Sequence, residues 1–136
     1  MSRDAGFTLL ETLVVMAITV LVGAIVFPNI ETSLRSLAVR QTASLVQANL
    51  RVARGEALRG DTMVAFAVDA DGGGFSWTNG PAQRAPLGVL MATANRQAIT
   101  FFPDGSSSGG EVALNGAGRQ LVISVDPQTG AVASSS

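Results

Sequence analysis

The chain has 136 residues, of which 47% are hydrophobic, and its nine basic residues, all arginine, face ten acids for a formal net charge of −1. It contains no cysteine and no histidine. These absences exclude a disulfide framework, a thiolate nucleophile and a serine–histidine–acid triad, and they remove the commonest zinc ligands. We therefore expect a protein that is not an enzyme and that holds no cofactor or metal. The near-zero net charge also disfavours a dedicated nucleic-acid-binding protein.

An uncharged apolar segment lies close to the N-terminus. No charged residue occurs from Thr12 to Ile30, and about 20 residues of helix cross the ~30 Å hydrocarbon layer of a membrane. The segment is too long for the apolar part of a cleaved secretory signal, and no Ala-x-Ala site follows it. A helix that is apolar on all sides is also difficult to bury in one small domain. We therefore predict a transmembrane helix over residues 7–30, and a plain signal anchor is an open alternative.

The residues before this segment resemble the N-terminal signature of type IV pilins and pseudopilins. A short polar leader, residues 1–6, ends at Gly6, Phe7 follows it, and Glu11 stands at the fifth position after the Gly–Phe junction. The resemblance implies that a prepilin peptidase cleaves between Gly6 and Phe7 on the cytoplasmic side of the membrane. It also implies that the new terminal amine of Phe7 is methylated.

Glu11 has two interpretations. A carboxylate costs about 2.5–3.5 kcal/mol at the centre of a membrane helix and less near its end. Glu11 either marks the interfacial end of the span or, in a filament, pairs with the terminal amine of a neighbouring subunit. Such a pair joins two charges that are each costly in lipid, and it fixes the axial register of the subunits.

Pro28 lies near the end of the apolar segment, where it either kinks the helix or only ends the span. Beyond it, residues 31–60 show an amphipathic helical pattern that stops at Gly60. A continuous helix over Phe7–Arg59 would be roughly 80 Å long. The predicted apolar stripe of its second half comprises Leu34, Leu37, Ala38, Leu45, Ala48, Val52 and Ala53.

Residues 61–136 are predicted to form a β head. Apolar or alternating runs at 63–68, 75–78, 88–93, 98–102, 111–114, 120–125 and 131–133 predict strands, and the segments between them are rich in turn residues. A head of this size without a disulfide needs the helical stripe to complete its core. We therefore predict an α+β fold, in which one long N-terminal helix packs on a small antiparallel sheet; the resemblance above implies that this is the type IV pilin-like fold.

The C-terminal half is similar to the GspH/FimT family of pilin-like proteins. The similarity lies in Ile99–Val112, an aromatic strand followed by Asp-Gly, a small-residue loop and a further strand, and in the closing strands and turn of residues 121–132. It implies a minor pseudopilin of a type II secretion system, a structural subunit of the periplasmic pseudopilus. The implied partners are the prepilin peptidase, the major pseudopilin, the minor tip pseudopilins and the inner-membrane assembly platform. The implied location is the bacterial inner membrane, crossed once, with a cytoplasmic N-terminus and a periplasmic head.

Three other functions remain open: a minor type IV pilin that primes a surface pilus, a DNA-receptor pilin, and a monomeric membrane-anchored binding module. The distribution of charge bears on the DNA-receptor alternative. Residues 31–60 carry five arginines and two acids, whereas the head carries three arginines and six acids. An acidic head disfavours DNA binding. The positive helix is either a solvated face or an electrostatic match for the acidic head of a stacked subunit.

The remaining motifs are interpreted as structural. Residues 69–72 begin like a calcium loop, but Gly73 and Gly80 occupy later ligand positions. Residues 104–110 lack the lysine and the following helix of a phosphate-binding loop. Trp77, the single tryptophan, is predicted to lie in the core or on a contact surface.

Overall fold

The computed structural model describes residues 8–135 of the chain. In this range one α-helix, α1, covers Leu9–Gly60, and eight strands and a short 3-10 turn at Ala94–Arg96 follow it. The strands are β1 Val64–Val68, β2 Gly74–Trp77, β3 Gln83–Arg84, β4 Leu90–Thr93, β5 Ile99–Phe101, β6 Gly110–Gly116, β7 Arg119–Val125 and β8 Val132–Ser135. The chain divides into two compact units, Met1–Leu34 and Arg35–Ser136. The predicted α+β class, with a long N-terminal helix and an antiparallel head, is confirmed.

The strands form two antiparallel sheets of four strands each. The first sheet has the order β3-β2-β1-β5 and the second the order β4-β6-β7-β8. The β6–β7 pairing extends from Gly110 opposite Val125 to Gly116 opposite Arg119. All seven predicted strands occur with shifted ends, whereas β3 and the division into two sheets were not predicted.

Both sheets share their core with one face of α1. The buried residues on this face recur at three- and four-residue steps: Val39, Thr42, Ala43, Val46, Leu50, Ala53 and Ala57. They belong to the same cluster as Phe66, Phe75 and Phe101 of the first sheet and Leu114 and Ile123 of the second. The rings of Phe66 and Phe75 stack with their centroids 5.2 Å apart. The helix therefore supplies one wall of the core of the head.

The predicted apolar stripe of α1 lies on the wrong face of the helix. Of its seven residues only Ala53 is buried, and Ala38 is half-buried. The other five are exposed: Leu34, Leu37, Leu45, Ala48 and Val52. At 3.6 residues per turn these five lie nearly opposite the buried residues. We call Leu37, Leu45, Ala48 and Val52, the four that belong to the second unit, the outer stripe.

Side-chain size and hydrogen bonding distinguish the covered face from the outer stripe. Ala43, Ala53 and Ala57 leave room for the strands to approach the helix backbone. Thr42 is tolerated in the core because its hydroxyl donates a hydrogen bond to the carbonyl of Ala38 at 2.8 Å. Leucine is the commonest residue of the outer stripe. A prediction from hydrophobicity alone therefore selects this uncovered face as the one that packs on the sheets.

Trp77 lies half-buried beside the core and links β2 to the helix. Its Nε1 donates a hydrogen bond to Oδ1 of Asn49 on α1 at 3.2 Å. Gly80 packs directly on the indole, since a Cβ placed there would overlap the ring of Trp77. Trp77 therefore packs against the edge of the core, and it is a fluorescent reporter of the contact between helix and sheet.

Arg54 connects α1 to two glycine turns. Its Nε donates a hydrogen bond to the carbonyl of Gly105 at 3.2 Å. Gly130 has a φ of 63°, and a Cβ placed there would come within 2.8 Å of Arg54 Nε and 2.5 Å of the Gly105 oxygen. Only glycine fits this position, because both the backbone angle and the close approach exclude a side chain.

Truncation of the buried face tests the packing of α1. Leu50 is fully buried, so Leu50→Ala is expected to lower the free energy of unfolding by about 2–5 kcal/mol. Leu45 is 41% exposed, so the matched control Leu45→Ala is expected to cost less than about 1 kcal/mol. Urea unfolding of the full chain in detergent, followed by Trp77 fluorescence, measures both changes. Equal effects of the two substitutions would contradict the assignment of the buried face.

Hydrogen bonds lower the pKa of the Asp126 carboxyl from its ordinary value of 3.8. The largest effect comes from the backbone N–H of Thr129, and the next from the Thr129 hydroxyl. Because the folded pKa lies below the unfolded one, the carboxylate stabilises the fold above about pH 3.8, and this contribution is lost as pH falls through the lowered pKa. Asp126→Asn is therefore expected to be less stable than the wild type at neutral pH and to converge with it in acid. Urea unfolding at a series of pH values measures this, and a difference that stays constant across the acid range would refute it.

Candidate functional site

Thr8 caps the N-terminus of α1. Its hydroxyl accepts a hydrogen bond from the backbone N–H of Glu11 at 3.2 Å, and its carbonyl accepts one from the N–H of Thr12 at 3.1 Å. Thr-x-x-Glu is the sequence of a capping box, a signal that our sequence analysis missed. Within the described residues only the threonine half of this box is formed. Glu11 thus lies in the first turn, where the positive end of the helix dipole favours an acid.

The carboxylate of Glu11 has no hydrogen-bond or ion-pair partner among residues 8–135. The neighbouring helix residues Leu9, Leu10, Leu13 and Val14 are apolar and exposed. A carboxylate on such a surface gains nothing from its own helix beyond the dipole. If this surface enters lipid, the charge needs a partner from outside the described residues.

The first part of α1 has the length and composition of a membrane span. Its most apolar 18-residue window has a mean hydropathy of 2.5, and the rest of the described chain buries none of it. The threonines of this part bond to the helix backbone: the hydroxyl of Thr19 donates to Val15 at 2.8 Å, and that of Thr32 to Pro28 at 3.0 Å. Such bonds satisfy hydroxyl groups that would otherwise be costly in hydrocarbon. These features together indicate a membrane anchor for a soluble head.

Pro28 lies inside α1, and the helix continues past it to Gly60. Because proline has no N–H, it removes the donor that would bond the carbonyl of Ala24. The helix does not end at Pro28, and a kink at this residue stays a prediction. Pro28 and Glu11 are 17 residues apart on one helix, about 25 Å along its axis, so they form no common site.

Gly6 and Phe7 lie outside the described residues. The proposed cleavage between them, and the methylation of Phe7, therefore stay predictions from the sequence.

The carboxylates of Asp71 and Asp104, in two turns of the head, bond to nearby residues of the head. Asp71 accepts a hydrogen bond from the N–H of Gly73 at 2.9 Å, and its other oxygen lies 3.6 Å from the guanidinium of Arg84. Asp104 accepts hydrogen bonds from both the N–H and the hydroxyl of Ser106, which lower the pKa of this carboxyl. The part of the chain that the structure describes contains no group of three or more potential metal ligands. These loops act as turns.

Two family models match the chain. The prokaryotic N-terminal methylation motif matches residues 1–27, and the family described as Type II transport protein GspH matches residues 42–129. The second match covers most of the chain, and the chain therefore belongs to the GspH family of pilin-like proteins. The N-terminal motif implies processing by a prepilin peptidase and assembly with other pilin-like subunits. No curated protein sequence matches the chain.

Solved structures of two pilin-like proteins share this fold. The type IV minor pilin FimU of Pseudomonas aeruginosa is similar at a TM-score of 0.61 and 18% identity, over 72% of this chain and 88% of that one. The minor pseudopilin EpsH from the type 2 secretion system of Vibrio cholerae is similar at a TM-score of 0.60 and 11% identity, over 72% of this chain and 96% of that one. At these identities the likeness shows the fold, which is thus type IV pilin-like, as predicted.

Removal of the Glu11 charge tests the role in assembly that the sequence predicts for this residue. We expect Glu11→Leu to leave membrane insertion intact, because it removes a charge from an apolar helix. Incorporation into filaments is expected to fall about a hundredfold, since an amine left unpaired among apolar helices costs about 3 kcal/mol and each 1.4 kcal/mol is a factor of ten. Carbonate extraction measures insertion, and cross-linking to other pilin-like subunits measures incorporation.

Glu31→Leu is the matched control, because Glu31 bounds the other end of the uncharged segment. This variant is expected to assemble normally. The assigned role of Glu11 fails if Glu11→Leu enters filaments as efficiently as the control.

Proposed function

We propose that the chain is a minor pseudopilin of a type II secretion system, a structural subunit of the periplasmic pseudopilus that helps to export folded proteins. One observation carries the proposal: a membrane-length apolar helix begins with a carboxylate that has no partner among the described residues, and it leads into a head of the GspH family. The missing partner is the terminal amine of a neighbouring subunit. The pair forms as the subunit leaves the lipid and enters the filament.

The outer stripe of α1 supports this proposal. Leu37, Leu45, Ala48 and Val52 are exposed because the head of the same chain covers the other side of the helix. Burial of apolar surface contributes about 25 cal/mol per Å², so a neighbouring subunit that covers this stripe gains stability. The outer stripe and Glu11 therefore act together in assembly, the first through packing and the second through register.

The proposed location follows from the anchor. The chain crosses the bacterial inner membrane once, with its N-terminus in the cytoplasm, where the prepilin peptidase acts, and its head in the periplasm. Its partners are the major pseudopilin, the minor tip pseudopilins and the inner-membrane assembly platform. We propose that its work is mechanical rather than catalytic, and the lack of cysteine and histidine supports this because most enzyme classes use one or the other.

A minor type IV pilin is the second candidate function. The fold similarity to the minor pilin FimU is as high as that to the pseudopilin EpsH, so the similarity in fold favours neither system. The match to the GspH family supports the secretion system. A role in DNA uptake has less support, because the head carries six acids against three arginines.

Mass spectrometry of the chain from its native cell tests processing. We expect a mature N-terminus that begins at methylated Phe7. In the same cell, deletion of the gene is expected to lower secretion of folded proteins and leave surface pili unchanged. Loss of pili with normal secretion would support the pilin alternative, and an unprocessed Gly6–Phe7 junction would contradict both functions.

A further inference from the structure

The second unit has a basic concavity near the start of its part of α1. Two guanidinium groups line it, that of Arg40 on α1 and that of Arg119 at the first position of β7. Its volume is about 390 Å³, and its other lining residues are Ser36, Val39, Gln120 and Leu121. These lining residues include no acid, and neither arginine has a hydrogen bond or an ion pair within residues 8–135. We call the concavity with its two arginines the basic end.

Two acidic turns of the same unit pack against the last part of α1. Gly105, in the turn that contains Asp104, lies beside Leu58, because a Cβ placed on this glycine would be 3.3 Å from Cδ2 of the leucine. The turn that follows Asp126 lies next to it, since a Cβ on Gly130 would touch the Gly105 carbonyl. Both aspartates are exposed. We call Asp104, Asp126 and Leu58 the acidic end.

Hydrogen bonds order both carboxylates of the acidic end and keep them ionised. The hydroxyl and N–H of Ser106 lower the pKa of Asp104, and the N–H and hydroxyl of Thr129 lower the pKa of Asp126. Each aspartate accepts these bonds through Oδ1. In the part of the chain that the structure describes, Oδ2 of either aspartate accepts no bond. One oxygen of each carboxylate therefore remains available to a partner.

The arginines close to the acidic end are already engaged. Arg54 is half-buried and donates a hydrogen bond to the carbonyl of Gly105 at 3.2 Å. Arg59 pairs with Glu56 at 2.6 Å. Asp61, directly after the helix, is a further exposed acid. The surface around the acidic end is therefore negative, whereas the basic end is positive.

The two ends cannot pair with each other within one chain. Arg40 and Leu58 are 18 residues apart on α1, which corresponds to about 27 Å along the helix axis. An ion pair needs a separation of no more than about 4 Å. The charges of one end therefore need partners from another molecule.

Each end also carries an exposed apolar side chain. Next to the basic end, Leu87 is fully exposed in the turn of residues 86–89, which one backbone hydrogen bond closes. This turn lies beside Val39 of the basic end, because a Cβ on Gly116 would touch both Val39 and the backbone of the turn. At the acidic end, Leu58 is 46% exposed. The two ends thus match in apolar character as well as in charge.

We propose that the basic end of one copy of this chain binds the acidic end of a second copy. Arg40 and Arg119 pair with the two aspartates, and Leu87 packs near Leu58. Guanidinium groups suit carboxylates because two parallel N–H groups can bond to the two oxygens. The inference rests on the proposed function, in which the chain assembles with pilin-like subunits, and it identifies a subunit that stands next to this one.

Charge complementarity favours this arrangement over a symmetric pair. Two basic ends, or two acidic ends, would place like charges against each other, which is costly at an interface. A contact between two different surfaces also leaves one free surface on each copy of a pair. Such a contact can therefore repeat along a filament.

Cysteine cross-linking of the full chain in detergent tests the proposal, because the natural chain has no cysteine. Copies with Leu87→Cys and copies with Leu58→Cys, distinguished by different tags, are mixed and treated with a short bismaleimide. We expect a cross-linked dimer that contains one copy of each variant. Either variant alone is expected to give little dimer, since the contact joins unlike ends. High salt is expected to lower the yield of the mixed dimer.

Removal of charge from one copy at a time identifies the residues responsible. Arg40→Gln with Arg119→Gln, placed in the copy that carries Leu87→Cys, is expected to lower the yield of the mixed dimer about tenfold, as expected for the loss of two ion pairs. The same two substitutions in the copy that carries Leu58→Cys are the matched control, because the basic end of that copy is outside the cross-linked contact. This control is expected to keep the yield.

The acidic end is tested in the reciprocal way. Asp104→Asn with Asp126→Asn keeps an oxygen acceptor in both turns but removes the charge. This pair of substitutions is expected to lower the yield about tenfold in the copy that carries Leu58→Cys and to keep it in the copy that carries Leu87→Cys. Trp77 fluorescence checks that each variant is folded.

Several outcomes would overturn the proposal. They are equal dimer yields from the mixture and from either variant alone, and a yield that is the same whichever copy carries the charge substitutions. Cross-linking of Leu87→Cys in filaments only to a different pilin-like subunit would also overturn it. The proposed function would survive each of these results, because it fails only if processing at Gly6–Phe7 or secretion of folded proteins is unaffected as described above. The two failures are therefore distinguishable.

Discussion

The packing of one face of α1 against two sheets is the contact on which the rest of the head depends. The head is small and has no disulfide, and its strands divide between two sheets that need a common partner. Val46 and Leu50 supply apolar volume, while Ala53 and Ala57 permit close approach. Without this face the aromatic core around Phe66 would lie open to water.

The packing of α1 on the sheets determines which of its surfaces remain exposed to other molecules. The head covers only one side, so the outer stripe remains apolar and exposed, and toward the N-terminus the helix is apolar on all sides. Soluble monomers seldom expose so much contiguous apolar surface without a function. Lipid covers the N-terminal part, and we propose that neighbouring subunits cover the outer stripe after assembly. In this proposal one helix serves as anchor, as part of the core and as an assembly surface.

Much of the fold was predictable because its signals are local. The uncharged run after Glu11 predicted the anchor, and glycine-rich turns between apolar runs predicted seven strands. The face of α1 that packs was not predictable from hydrophobicity, since both sides of the helix are apolar and only contacts with distant strands decide between them. Strand β3 is two residues long and contains Gln83 and Arg84, so it has no apolar signal at all.

The candidate sites also differ in how clearly the sequence marks them. Glu11 stands out in the sequence because a single acid interrupts an apolar segment. The Thr8 cap has a short sequence signature, Thr-x-x-Glu, and its glutamate is the same residue for which the pilin resemblance predicts a role in assembly.

Cysteine accessibility gives the most direct test of the two-faced helix, because the natural chain has no cysteine. Leu45 and Val46 are adjacent in sequence, but Leu45 belongs to the outer stripe and Val46 is fully buried. We predict that a maleimide labels Leu45→Cys in the unassembled subunit and not in the filament, and that Val46→Cys is protected in both. Labelling of Val46→Cys in the unassembled subunit, or of Leu45→Cys in the filament, would contradict this account.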